Sequence, residues 1–162
     1  MTAPEHEMLE IAARIGAALL CGAIIGLNRD LHRKPAGLRT FGLMALGTAT
    51  LTVALAHSAD PSALGRVVQG LITGIGFLGA GMILRPANSN EVHGLTTAAA
   101  VWLTAALAIL CGLGQIPLAL AVLATALVVL LIGLPVERAF ERWFGTVAPG
   151  EPLAPGEEHR AG

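Results

Sequence analysis

Long apolar stretches separated by short polar intervals dominate the chain. No Asp, Glu, Lys or Arg occurs in 40–59, 67–84 or 94–136, which together make up half of the sequence. These runs are apolar throughout, without the two-residue alternation of a membrane barrel strand. About 20 apolar residues in a helix cross the hydrocarbon core of a bilayer. The pattern therefore predicts five transmembrane helices, over 8–27, 40–58, 67–84, 94–111 and 117–135. The run 94–136 has room for two spans and is broken by Gly112-Leu113-Gly114-Gln115-Ile116-Pro117. Pro117 falls in a first helical turn, where its missing N–H costs nothing. The expected fold is all-α, a polytopic membrane helical bundle filling residues 1–145. Glu10 and Arg14 stand at one end of the first span, within reach of the interface.

Both ends of the chain read differently from the spans. Past Leu134, Val136, Phe140, Trp143 and Phe144 share one helical face, with Glu137, Arg138, Glu141 and Arg142 off it. That predicts an interfacial helix over 136–144. Residues 146–162 are Pro, Gly, Glu and Ala without periodicity, the pattern of a disordered cytoplasmic tail. Glu5, His6, Glu7 and Glu10 precede the first span, whereas a secretory signal begins basic, so the span is expected to be retained.

Composition sharpens the class. Hydrophobic residues are 54% and charged residues 13%, with a net charge of -1. Soluble domains carry about a quarter charged residues, and disorder needs low hydrophobicity, so both are excluded. The near-neutral balance gives no electrostatic case for nucleic acid. Lys and Arg are retained on the cytoplasmic side of a membrane. Arg29, Arg33, Lys34, Arg39, Arg85, Arg138, Arg142 and Arg160 fall on one side and Arg14 and Arg66 on the other. Eight against two places the amino terminus outside and the carboxyl terminus inside, as an odd number of spans requires.

Small residues let membrane helices approach closely. Gly22 and Gly26 form a G-x-x-x-G pair on span one, and Gly70, Gly74, Gly76, Gly79 and Gly81 crowd span three. Span three is therefore expected to be central and span five peripheral. Cys21 and Cys111 are assigned different depths, which argues against a disulfide and leaves two buried free thiols.

No ionisable residue falls in the middle of a span, where proton relays and coupled pumps place theirs. There is no Walker loop, metal-ligand cluster or nucleophile elbow, so neither enzyme activity nor a cofactor or bound metal is expected. Thr73 and Thr104 lie within spans, where hydroxyls mostly bond back to their own helix. His57, at an outer end, reads as solvated. Chemistry gathers instead at the cytoplasmic turns. Arg29 and Asp30 end span one; Gly37, Arg39 and Thr40 begin span two; Arg85 ends span three; Gly94, Thr96 and Thr97 begin span four. Arg29 and Arg85 are 56 residues apart, Gly37 and Gly94 57, the spacing of a duplicated hairpin. Arg39, between Leu38 and the first turn of span two, is expected to point into the bundle and pair with Asp30. Arg33 and Lys34 read as ordinary interfacial anchors.

The blocks G-x-x-R with P-A-G-L-R-T, then G-I-G-F-L-G-A-G-M-I-L-R, then G-L-T-T-A-A-x-x-W span most of 24–107 in that order. Together they resemble the MgtC/SapB family of bacterial inner-membrane proteins. The resemblance implies a small multi-helix membrane protein linked to growth in low magnesium and, in pathogens, to survival inside host cells. It implies regulation of membrane enzymes and energetics rather than magnesium transport. Asn28 stands where the family usually has an acidic residue. Longer members continue into a cytosolic domain, whereas this chain stops at Gly162, so the resemblance extends to the membrane domain.

Two functional classes follow. One is a non-enzymatic regulator whose bundle docks on another membrane protein or self-associates within the bilayer. The other is a small transporter or channel for a divalent cation, using the Asn28–Asp30 corner.

Overall fold

Five helices follow one another along the chain: α1 (Ala3–Leu31), α2 (Leu38–Ala56), α3 (Pro61–Met82), α4 (Leu95–Gly112) and α5 (Ile116–Phe144). This computed structural model describes residues 3–56, 58, 60–83 and 92–144. His57, Arg85 and the tail 146–162 lie outside the described residues. Each helix contains a segment long and apolar enough to cross a membrane, and no strand occurs among the described residues. The residues up to Leu127 form one compact unit and those from Val128 a second.

Local chemistry sets the helix boundaries. Asp60 caps α3, its carboxylate accepting from the Ser62 N–H at 2.9 Å, with Pro61 in the first turn. Arg66 reaches back to the same carboxylate at 2.7 Å and holds the Asp60 acid below its ordinary range. The end of α4 is closed by Gly114 at φ 78, with Gln115 N–H donating to the Leu110 carbonyl at 2.9 Å. This left-handed position is cheap for glycine alone. Pro135 lies inside α5, so 136–144 continue that helix and do not begin a separate one.

Within the first unit, α1, α2 and α4 pack against one another, and α3 lies mainly against α4. The helix α1 presents a stripe through Ala18, Cys21, Gly22, Ile25, Gly26 and Arg29, all buried. The spacing of three and four residues keeps them on one face. Phe41, Ala45 and Ala49 of α2 meet that stripe together with Val101, Ala105 and Ala108 of α4, and Ala119 and Leu123 of α5 join the same core. Buried Thr52 and Thr104 satisfy their hydroxyls on the Thr48 and Ala100 carbonyls, each at 2.8 Å. Thr73 does the same on Gln69 at 2.9 Å.

Glycine performs two different tasks here. A Cβ on Gly22 would lie 2.6 Å from the Phe41 carbonyl oxygen and 2.7 Å from Ala45 Cβ. One on Gly26 would lie 2.7 Å from Leu38 Cα, and one on Gly112 the same distance from Thr52 Cβ. These glycines let backbones touch. On α3 the expectation fails: Gly70, Gly74, Gly76 and Gly81 have no atom within 4 Å of a built Cβ, and Gly79 has only ordinary contact with Ala98. The central helix is α4, with 50% of its apolar span buried against 11% for α3. Close packing needs a neighbour as well as a small residue, and α4 has α1, α2 and α3 packed against it. Gly70, Gly74 and Gly81 instead share an open face with Phe77, which is 80% exposed.

Both cysteines are free and buried, in the same core cluster.

Candidate functional site

The residues singled out at the helix turns gather where α1 ends and α2 and α4 begin. The turn from α1 to α2 is tight. Lys34 N–H donates back to the Arg29 carbonyl at 3.0 Å, and Arg33 and Ala36 adopt left-handed backbone, φ 51 and 61. Two non-glycine residues in that region store roughly 1–3 kcal/mol each. The strain is held by Asp30, which accepts the Leu38 N–H at 2.8 Å and so caps α2. Asp30 also lies against Gly37, where any side chain would collide with the carboxylate.

Asp30 is therefore a helix cap, and Arg39 is exposed. The described residues contain ion pairs Arg14–Glu10 and Arg66–Asp60, and none between Arg39 and Asp30. The expected inward Arg39 is corrected. The buried face of α2 runs through Phe41, Gly42, Ala45, Thr48, Ala49 and Thr52, and helical phase carries Leu38 toward that stripe and Arg39 off it. Thr40, likewise off the stripe, is exposed.

The inward arginine is Arg29. It continues the α1 stripe by three residues from Gly26 and is only 4% exposed. Its guanidinium donates to the hydroxyl of Thr97 in the first turn of α4. Thr97 is buried, whereas Thr96 beside it is exposed. Gly94 caps α4 with φ 94 and offers no side-chain acceptor to the first amides. Its Cα lies so close to the Met82 carbonyl that a Cβ would clash. Both the φ and the clash require glycine here. Arg29, Thr97 and Gly94 thus form one corner, and Asp30 and Gly37 hold the adjoining turn. Arg85 lies outside the described residues.

The opposite end of α4 has its own arginine. Arg14 stands on the same α1 stripe, four residues before Ala18, and donates to the Gly112 carbonyl at 3.3 Å while pairing with Glu10. The sequence reading left Arg14 at the interface. The three- and four-residue spacing Arg14, Ala18, Cys21, Gly22, Ile25, Gly26, Arg29 was the signal that joins both arginines to the core stripe. Among the described residues no group of three or more His, Cys, Asp or Glu side chains could hold a metal ion.

A helical core closed by glycine contacts and built from helices long and apolar enough to cross a membrane defines a multi-pass membrane protein. The chain belongs to the MgtC family, whose sequence profile matches residues 15–139. It is 45% identical over 129 residues to Protein SrpB of Synechococcus elongatus, covering 71% of each chain. It is 45% identical over 105 residues to Protein MgtC of Salmonella typhimurium, covering 65% of this chain and 44% of that one. Protein MgtC of Brucella abortus is 43% identical over 105 residues, 43% of its own length. The chain thus spans less than half the length of these MgtC relatives. No solved structure matches.

Proposed function

We propose that this protein is a non-enzymatic regulator of other membrane proteins or of membrane ion balance when magnesium is scarce. It would sit in the bacterial inner membrane with its amino terminus outside and the Arg29 corner on the cytoplasmic side. The observation that carries the reading is membership of the MgtC family, with 45% identity to Salmonella MgtC over 105 residues. The Lys and Arg asymmetry supports the orientation. The open glycine face of α3, with Phe77 on it, supports a partner within the bilayer, another membrane protein or a second copy of the chain.

The test pairs growth with flux. Deleting the gene should impair growth in magnesium-poor medium, and the purified protein in proteoliposomes should move no divalent cation. Saturable uptake of magnesium by those vesicles would replace regulation with the transporter alternative. For orientation, a Ser62→Cys variant should react with an impermeant thiol reagent on intact cells and an Arg33→Cys variant should not.

A further inference from the structure

Among the described residues, no carboxylate pairs with the buried Arg29. Arg29 is 4% exposed, and its Nε is fully buried without a hydrogen-bond partner. Among the described residues its guanidinium donates one side-chain hydrogen bond, to the neutral Thr97 hydroxyl. The carboxylate next to it in sequence, Asp30, is exposed and committed to the Leu38 amide. Asn28, half-buried on the preceding position, is neutral. A buried cation with no counter-charge is among the least favourable arrangements in a protein interior.

The carboxyl end of α1, in whose last turn Arg29 lies, favours a cation, but the helix that Arg29 touches opposes it. Thr97 lies in the first turn of α4, where the leading amides have no acceptor within the helix. The aligned peptide dipoles add roughly half a positive charge at that end. Gly94 supplies no capping oxygen. A guanidinium and a helix amino terminus without a side-chain cap therefore converge on one place, and both favour an anionic oxygen. Arg14 at the other end of α4 is the internal control: its Nε is also unpartnered, but its guanidinium meets both Glu10 and the Gly112 carbonyl.

We propose that Arg29, Thr97 and the first amides of α4 bind a phosphate group. Guanidinium forks and helix amino termini both match phosphate oxygens in geometry and charge. Arg29 lies in the last turn of a membrane-length helix, the level at which lipid headgroup phosphates are found. A lipid phosphodiester and a free phosphate offer the same oxygens, and the experiment separates them. The inference holds whichever protein or ion balance the chain regulates.

Protein purified in a maltoside detergent is melted against inorganic phosphate, with chloride at matched ionic strength as control. Parallel melts add phosphatidylglycerol or, as its phosphate-free control, diacylglycerol. A saturable upward shift in Tm with inorganic phosphate identifies a free-anion site. A shift with phosphatidylglycerol alone, absent with diacylglycerol, identifies a headgroup site. In either case Arg29→Gln should abolish the shift, Thr97→Val should weaken it, and exposed Arg39→Gln should leave it intact. No shift with either phosphate source, or an equal shift in Arg29→Gln, overturns the proposal. Native mass spectrometry of the unheated samples reads one bound phosphate species per chain independently of melting.

Discussion

Arg14 and Arg29 lie on one stripe of α1, 15 residues apart and hence about 22 Å along the helix axis, and reach opposite ends of α4. At the Arg14 end a cation meets the negative end of a helix and a carboxylate from its own chain. At the Arg29 end a cation meets the positive end of the same helix and a single hydroxyl. The same packing produces both placements, because the stripe continues in phase from one arginine to the other. What differs is charge balance: one end is complete within the described chain and the other is not. In a protein this apolar, an end left incomplete is where something else is to be bound.

The comparison depends on α1 and α4 being held in register, and the largest expected effect comes from breaking that. Gly22→Leu would drive a side chain into the Phe41 carbonyl and Ala45, and overpacking of this kind costs about 1–3 kcal/mol or more. The yield of monodisperse protein after detergent extraction should collapse. Gly74→Leu, on the open face of α3, should extract like the parent. Equal losses at both positions would mean that α3 is packed as tightly as α1.

A smaller effect sharpens the Arg29 end. Asp30→Ala removes the cap of α2 and the carboxylate that holds the strained turn, a loss of about 1 kcal/mol by the usual value of such caps. Hydrogen exchange at the first amides of α2 should rise while the Arg14 end keeps its protection. An effect on both ends alike would show that the two corners are not independent.

Much of this was legible in the sequence. Long apolar runs located the five helices, because a bilayer leaves few alternatives to an apolar helix. A Cβ on Gly22 or Gly26 would meet α2, the helix that follows directly in the chain. The glycines of α3 misled because a small residue shows that close approach is allowed without showing that a neighbour is present. Arg39 misled for a related reason. Its position near a helix start was visible, but its direction depended on the phase of the α2 stripe, which Phe41, Ala45 and Ala49 set through contacts distant in sequence. Arg29 could have been recognised from spacing alone, by extending the Ala18, Cys21, Gly22, Ile25, Gly26 series one step further.

The central claim is the asymmetry between the two arginines, and one paired melt tests it most directly. Arg14→Gln and Arg29→Gln are unfolded side by side in lipid-poor, phosphate-free detergent. Arg14→Gln should lower stability, since charge-assisted hydrogen bonds of this kind contribute about 1.5–3 kcal/mol. Arg29→Gln should melt at or above the parent temperature, because it removes a buried charge that nothing in the described chain neutralises. A loss in Arg29→Gln equal to or greater than that in Arg14→Gln would show that Arg29 is already balanced within the chain and would contradict the account.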